Sequence, residues 1–361
     1  MVAYIGDLAV NRKQWLSKDA FEEGVPLCQS IPGATAMQAA AYVGLRASGP
    51  PGALAAFVGF GLPAFALMVA LAAAYHAGHD LQPVMSAFRG LQVVVVAIVA
   101  NAALNFGRGS VRNWRDAILA AGAAAYLACH GSPILAIAAS VGLSALLYRG
   151  ISLPAKAAGA GSPSDGGQGF RFAALLAVVV AAGLIFLFLV DRPLFELAVL
   201  MMKVDVFAFG GGFASIPLML QQVVDVRHWL DSRTFMDGIA LGQVTPGPIV
   251  ITATFVGYQL AGVAGAVVGT VSVFAPSFLM VLVAVPNFDR LQRSPMVRRA
   301  MRGILASFVG LLAAVTIEFG VAIAWSIPAA LIAVVAFIAL RFRVEVAWVV
   351  FAGAAVSALI L

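Results

Sequence analysis

Two short stretches, KVDVFAFGGG (203–212) and QVTPGP (243–248), hold the residue types in this chain that could do chemistry in an apolar setting. Lys203 and Asp205 are charges within a hydrophobic run, and charges inside a membrane are functional candidates by default. Lys203 lies about nine residues into the run 194–224, roughly 14 Å deep, where an ammonium cannot easily reach water. Two residues on, Asp205 sits about 200° around the helix, so it does not face Lys203 and needs another partner or a proton. Pro246, Gly247 and Pro248 break a second run. Proline removes an amide donor, and glycine adds freedom that a helix must freeze out. A helix restarting at Pro248 leaves its first amides without acceptors, and such amides attract anions. Gly210, Gly211 and Gly212 suggest a second unwound backbone able to approach a ligand. One cation and a set of free amides suit holding an anion. Each feature also has a plainer reading: a packing kink for Pro-Gly-Pro, close helix packing for the glycines, and a structural ion pair for Lys203. Gln38, Gln243, Thr245 and Thr252 are ligand contacts or interhelical hydrogen-bond glue. No HExxH, GxSxG or P-loop pattern occurs, so metal, acyl-transfer and ATP chemistry have no support. An enzyme and a cofactor are therefore not expected. Cys28 and Cys129 show no paired spacing, which argues against a disulfide framework or a metal site.

The elements that must position these residues follow from composition. Of 361 residues, 62% are hydrophobic and 11% charged, with a mean hydropathy of +0.99, whereas a soluble domain averages about 25% charged. This predicts an all-α, polytopic helical membrane protein with no cleavable signal. Apolar runs near the roughly 20 residues that span a bilayer fall at 25–47, 51–75, 84–107, 112–130, 132–149, 171–190, 194–224, 237–261, 262–286, 301–320, 321–340 and 344–361. The Gly/Ser/Pro-rich stretch 150–170 reads as a flexible cytoplasmic linker between membrane units at 1–149 and 171–361. The net charge of +6 is no nucleic-acid signature, because the basic residues sit between apolar runs. Arg108, Arg112 and Arg115, then Arg149, Lys156 and Arg171, then Arg290, Arg293, Arg298 and Arg299, then Arg341 and Arg343 mark four regions that can all be cytoplasmic at once. The turns near 76–83, 131, 261 and 320 carry no Lys or Arg, and His76 and His79 are expected to be solvated in the first of them.

The two units repeat each other. Residues 13–33, KQWLSKDAFEEGVPLCQSIPG, lie over 227–247, RHWLDSRTFMDGIALGQVTPG, at an offset of 214. After one gap the offset becomes 213, and Gly44, Gly52, Pro63, Arg89-Gly90 and Phe106-Gly107 meet Gly257, Gly265, Pro276, Arg302-Gly303 and Phe319-Gly320. Run 51–75 ends in an uncharged turn while its mate 262–286 ends in an Arg-rich loop, and the next pair is reversed. The copies are thus predicted to run in opposite directions. Inverted repeats with broken helices place a site near the midplane, at the repeat interface. Pro32-Gly33 then faces Pro246-Gly247. Arg89 and Arg302, repeat mates at helix starts, either snorkel to headgroups or gate a substrate.

FAFGGGFASIPLM (207–219), GQVTPGPIVITATFVGYQLAG (242–262), APSFLM (275–280) and PGATAMQAAAYVG (32–44) resemble the chromate ion transporter family over nearly the whole chain. The resemblance implies export of chromate, with relatives of unknown substrate. Ala34 stands where the family has a second proline, and Asp205 where a glycine is expected. At the repeat offset Met1 falls opposite Ser215, so the first copy lacks a counterpart of LAVLMMKVDVFAFGGGF, and the family's first helix is expected to be missing or to lie upstream.

The expectation is a multi-pass plasma-membrane secondary transporter, bacterial or archaeal, that exports chromate or a similar tetrahedral oxyanion. Sulfate transport and an anion channel are the alternatives. Substrate contacts are expected from Lys203, Gly210, Gly211, Gly212, Gln243, Thr245, Pro246, Gly247, Pro248, Pro32, Gly33 and Gln38. Gating or coupling is expected from Asp205, Arg89 and Arg302. The partners are the oxyanion and the lipid bilayer, with no nucleic acid; a homodimer is left open.

Overall fold

The computed structural model describes residues 1–78, 82–149 and 166–360, except for the side chains of 82–84, 166–167 and 286–293. The predicted linker at 150–170 and His79 fall wholly or largely outside the described residues. Every regular element among the described residues is a helix. In chain order these are α1 (Val2–Gly6), α2 (Lys18–Ser30), α3 (Thr35–Gly78), α4 (Gln82–Ser110), α5 (Trp114–Ala128), α6 (Pro133–Leu147) and α7 (Gly166–Val190), then α8 (Arg192–Phe207), α9 (Ser215–Leu220), α10 (Ser232–Val244), α11 (Thr252–Arg293), α12 (Pro295–Ala322), α13 (Ile327–Arg341) and α14 (Val346–Ile360). Short π-helical segments, Asp7–Arg12 and Gln221–Val226, extend α1 and α9. Among the described residues five helices are long and apolar enough to cross a membrane, and α6, α13 and α14 are shorter apolar helices.

The sequence repeat reappears as matched local structure. Two residues beyond each π-helical segment stands a residue with φ of 52°, Gln14 and His228. The next residue in each case, Trp15 or Trp229, donates its amide 2.8 Å to the carbonyl of Ala9 or Val223. α3 bends at Ser48-Gly49 and α11 at Ala261-Gly262 with nearly the same backbone angles, each bend relying on a glycine at positive φ (69° and 57°). Across each bend the limbs meet glycine to glycine, Gly44 on Gly52 and Gly257 on Gly265, so closely that an added Cβ would strike carbonyl oxygen. Small residues at a crossing let backbones approach where no hydrophobic effect drives helices together. α12 packs on α5 and α6, and α4 packs on α13 and α14, so each copy embraces a helix of the other. Ser144 donates to the Arg299 carbonyl (2.7 Å) and Ser357 to the Ser86 carbonyl (2.5 Å). Both pairs are related by the 213-residue offset, since 357 − 144 and 299 − 86 are each 213.

Two of the predicted crossings are instead dips that return to the end they started from. The long limb of α11 and then α12 run in opposite directions through the bundle, joined near Ser294, so Gly262 and Ala322 share one end. α10 starts at that end: Arg233 donates to the Ala322 carbonyl (3.3 Å), and Tyr75, near the end of α3, donates to Asp237 (3.0 Å). The short limb of α11 returns to it, with the Thr254 and Thr270 hydroxyls 2.6 Å apart across the hairpin. The run 237–261 therefore does not cross. The run 194–224 breaks after Phe207, and beyond the break α9 packs on α6 and α12, with Asp225 within electrostatic reach of Glu318, one turn before Ala322. Hydropathy cannot distinguish a crossing from a folded-back hairpin of equal length, because both bury the same apolar residues. In the first copy α2 begins at the opposite end: Tyr42, beside the Ser48-Gly49 bend, donates to the Ala20 carbonyl (2.9 Å).

Candidate functional site

The dips end in turns that meet inside the bundle. After α2, residues 31–34 are non-helical, and Gly33 adopts a φ of 108°. After α8 the chain unwinds at 208–211, with Gly210 at φ 87° and Gly211 at φ 108°. These are left-handed backbone conformations, open to glycine and costly for residues with a Cβ. The Gly33 amide donates to the Ala208 carbonyl (2.9 Å), which ties the two turns together. After α10 the third turn, 245–248, leads into a short 3-10 helix, Ile249–Ile251. Gly212 packs against this third turn: a Cβ there would lie 2.8 Å from Ile249 Cγ2 and 3.7 Å from Ile249 N.

The polar groups at this meeting point are mostly backbone. Neither the Gly210 nor the Gly211 amide has a backbone partner among the described residues. In the 3-10 helix the first hydrogen bond comes from the Ile251 amide to the Pro248 carbonyl (2.9 Å), so the amides of Ile249 and Val250 precede it. The three glycines 210–212 are half-buried, as is Thr35, whose hydroxyl lies 3.7 Å from where a Gly211 Cβ would stand. Backbone amides left without acceptors can bind an anion without carrying a net charge. Sequence reasoning anticipated the restart amides but missed Thr35, because a threonine at a helix start ordinarily signals a cap.

The predicted side chains divide into two groups. Gln38 is buried, donates to the Pro32 carbonyl and so braces the first turn; its Oε1 has no partner among the described residues. Asp205 is fully buried, and its Oδ2 accepts the Ser277 amide (2.6 Å). That amide is the partner the sequence could not supply, since Ser277 lies 72 residues away. The other oxygen, Oδ1, has no partner among the described residues and stands 2.8 Å from where a Gly33 Cβ would be. Gln38, Asp205, Pro32, Gly33, Gly210, Gly211 and Gly212 are thus brought together with the third turn. Gly247 is buried in that turn against Ala64, Pro248 leads its restart and Pro246 is exposed. The Gln243 Nε2 nearby is buried without a partner among the described residues.

Other predicted residues are committed elsewhere. The Thr245 and Thr252 hydroxyls donate to the Gly242 and Ile249 carbonyls (both 2.8 Å), so they close local turns. Lys203 is exposed, while Asp205 two residues on is buried, as the helical rotation requires. Arg89 is exposed. Arg302 is paired: its Nε and Nη2 donate to the two oxygens of fully buried Asp116 (3.1 and 3.0 Å). Tyr148 donates to the same carboxylate (2.6 Å) and lies under the guanidinium. Arg302 and Asp116 are 186 residues apart, and nothing local in either sequence announces the pair.

The profile of a family described as "Chromate transporter" matches residues 1–145 and 195–358. The chain is 43% identical over 330 residues to an uncharacterized transporter of Methanocaldococcus jannaschii, covering 91% of this chain and 82% of that one. It is 29% identical over 336 residues to a chromate transport protein of Cupriavidus metallidurans (92% and 80% covered), and 30% identical over 333 residues to one of Pseudomonas aeruginosa (89% and 76%). No solved structure matches significantly.

Proposed function

Because the chain belongs to the chromate transporter family and so is a multi-pass transport protein of the plasma membrane, we propose that it is a secondary transporter that exports chromate or a similar tetrahedral oxyanion. The observation that carries this reading is the meeting of three unwound turns, 31–34, 208–212 and 245–248, with half-buried glycine backbone between them. The amides of Gly210, Gly211, Ile249 and Val250 hold the oxyanion, and Thr35 adds a hydroxyl. Asp205, by holding Ser277 of α11 and facing Gly33, makes α8, α11 and the first turn move as one.

The two copies are an inverted repeat in this reading. Arg46, Arg108, Arg112, Arg298 and Arg299 lie toward the Ser294 end, which the positive-inside rule places in the cytoplasm. α2 then dips from the cytoplasm and α8 and α10 from outside, so their tips meet near the midplane. Energetics favours export, since one charge crossing 100 mV is worth about 2.3 kcal/mol and a dianion gains about twice that on leaving a negative interior. Donors without net charge suit a transporter, which must release what it binds.

The deciding experiment is radiolabelled chromate and sulfate flux in proteoliposomes with an imposed potential. Saturable chromate exit driven by an interior-negative potential is expected. No flux of either anion, or channel-sized currents in bilayer recordings, refutes the reading.

A further inference from the structure

Asp237 is a buried carboxylate outside the anion site. It lies on α10 and is 4% exposed. Its Oδ2 accepts the Tyr75 hydroxyl of α3 (3.0 Å), and its Oδ1 accepts the Gln92 amide of α4 (2.9 Å). Both donors are neutral. An ionised carboxylate taken out of water is costly unless a cation or a full set of hydrogen bonds compensates it. Here two hydrogen bonds fasten the α10 dip to two helices of the other copy. The repeat mate of Asp237 at the 214-residue offset is Glu23, which is exposed, so the arrangement belongs to one copy alone.

We propose that Asp237 is a proton-binding site that couples anion movement to proton movement. Ionised, it offers two acceptor oxygens to two donors, and bonds to a charged acceptor are roughly twice as strong as neutral ones. Once protonated, the carboxyl keeps one pure acceptor and gains a donor, so Tyr75 must turn and both bonds weaken. α10 is then loosened from α3 and α4. Its far end, Val244, leads into the Pro-Gly-Pro turn about 10 Å along the helix. A proton at Asp237 thus acts on the third turn of the anion site without touching the anion. Asp231, the α10 N-cap, accepts the Arg233 and Thr234 amides (2.8 and 2.9 Å). Of the other charged or titratable groups near this end, Arg233 is bonded to the Ala322 carbonyl, Glu318 lies on α12, His76 follows Tyr75, Arg89 is exposed one turn before Gln92, and α14 carries none. Resting on the export reading, which puts the Gly78 end outside, the proton enters from outside as the anion leaves.

The test uses the full chain in proteoliposomes, with radiolabelled chromate, an entrapped pH dye and the potential clamped at zero. Chromate exchange at equal pH tests the transport reading alone. With outward chromate flux, wild type is expected to move protons inward and to run faster when the outside is acidified. Asp237→Asn should keep exchange but lose both the proton signal and the pH response. Independently of transport, infrared difference spectra should show a protonated-carboxyl band on acidification that is absent in Asp237→Asn. The midpoint of that band should move to higher pH in Tyr75→Phe, which keeps the carboxyl but removes a donor to its ionised form. If Asp237→Asn does not fold, Tyr75→Phe carries the test. Proton movement or the band surviving in Asp237→Asn, an unmoved midpoint in Tyr75→Phe, or wild-type flux that follows sodium and ignores pH overturns the proposal.

Discussion

Gly212→Ala tests the meeting of the second and third turns most directly. The added methyl would stand 2.8 Å from Ile249 Cγ2 and 3.3 Å from Val250 Cγ2, both on buried, β-branched side chains. Such side chains have few alternative rotamers, so the strain falls on the backbone. Overpacking of this kind costs about 1–3 kcal/mol. If the turns separate to relieve it, the amides at Ile249 and Val250 lose their register with those at Gly210 and Gly211. At 1.4 kcal/mol per factor of ten, the KM for chromate should rise roughly 5- to 150-fold. The neighbouring Gly211→Ala supplies the contrast. Gly211 has open space, its nearest atom being Thr35 Oγ1 at 3.7 Å, but a φ of 108°. Its cost is backbone strain of about 1–3 kcal/mol, present with or without substrate, and should appear chiefly as a lower Tm in detergent. The assay pairs initial chromate flux across concentrations with thermal unfolding for both variants. A wild-type KM in Gly212→Ala, with an unchanged Tm, would refute the claim that these turns form the site.

Asp116→Asn leaves the Arg302 guanidinium half-enclosed and without its carboxylate, and breaking a buried pair costs about 3–5 kcal/mol, so the yield of folded protein should collapse; Asp116→Leu with Arg302→Met should recover part of it in a detergent melt. Lys203→Met should lower chromate flux less than roughly tenfold, under about 1.4 kcal/mol, because the ammonium is exposed and Asp205 on the same helix is buried; complete loss of potential-driven flux in a folded variant would return the lysine to the site. In a chain with Cys28 and Cys129 replaced, single cysteines at Gly78 and Arg233 should label from outside and one at Ser294 from the cytoplasm; labelling of Arg233→Cys together with Ser294→Cys would restore 237–261 as a crossing.

The sequence alone determined that this is an all-helical membrane protein, showed a repeated pattern of Trp, Gly, Pro and Arg-Gly between its two parts, and suggested breaks at Pro32-Gly33, Gly210–Gly212 and Pro246–Pro248 that the structure then carries. Each of these is local: apolar length, a proline without an amide hydrogen and a glycine at positive φ leave their mark wherever the chain goes. The repeat was legible for the same reason, because Trp15 and Trp229, or Gly44 and Gly257, keep the same neighbours in each copy. The tertiary structure decided what the breaks face. Whether 237–261 crosses or dips depends on contacts to Tyr75 and Ala322, and no periodicity encodes those. The partners of the charged residues were also decided there. Asp205 found the Ser277 amide, Arg302 found Asp116 and Asp237 found Tyr75 and Gln92, each across a large gap in sequence. In a membrane interior an ionisable group must be satisfied by whichever helix packs beside it, so its role is fixed by helix arrangement and not by the residues that flank it.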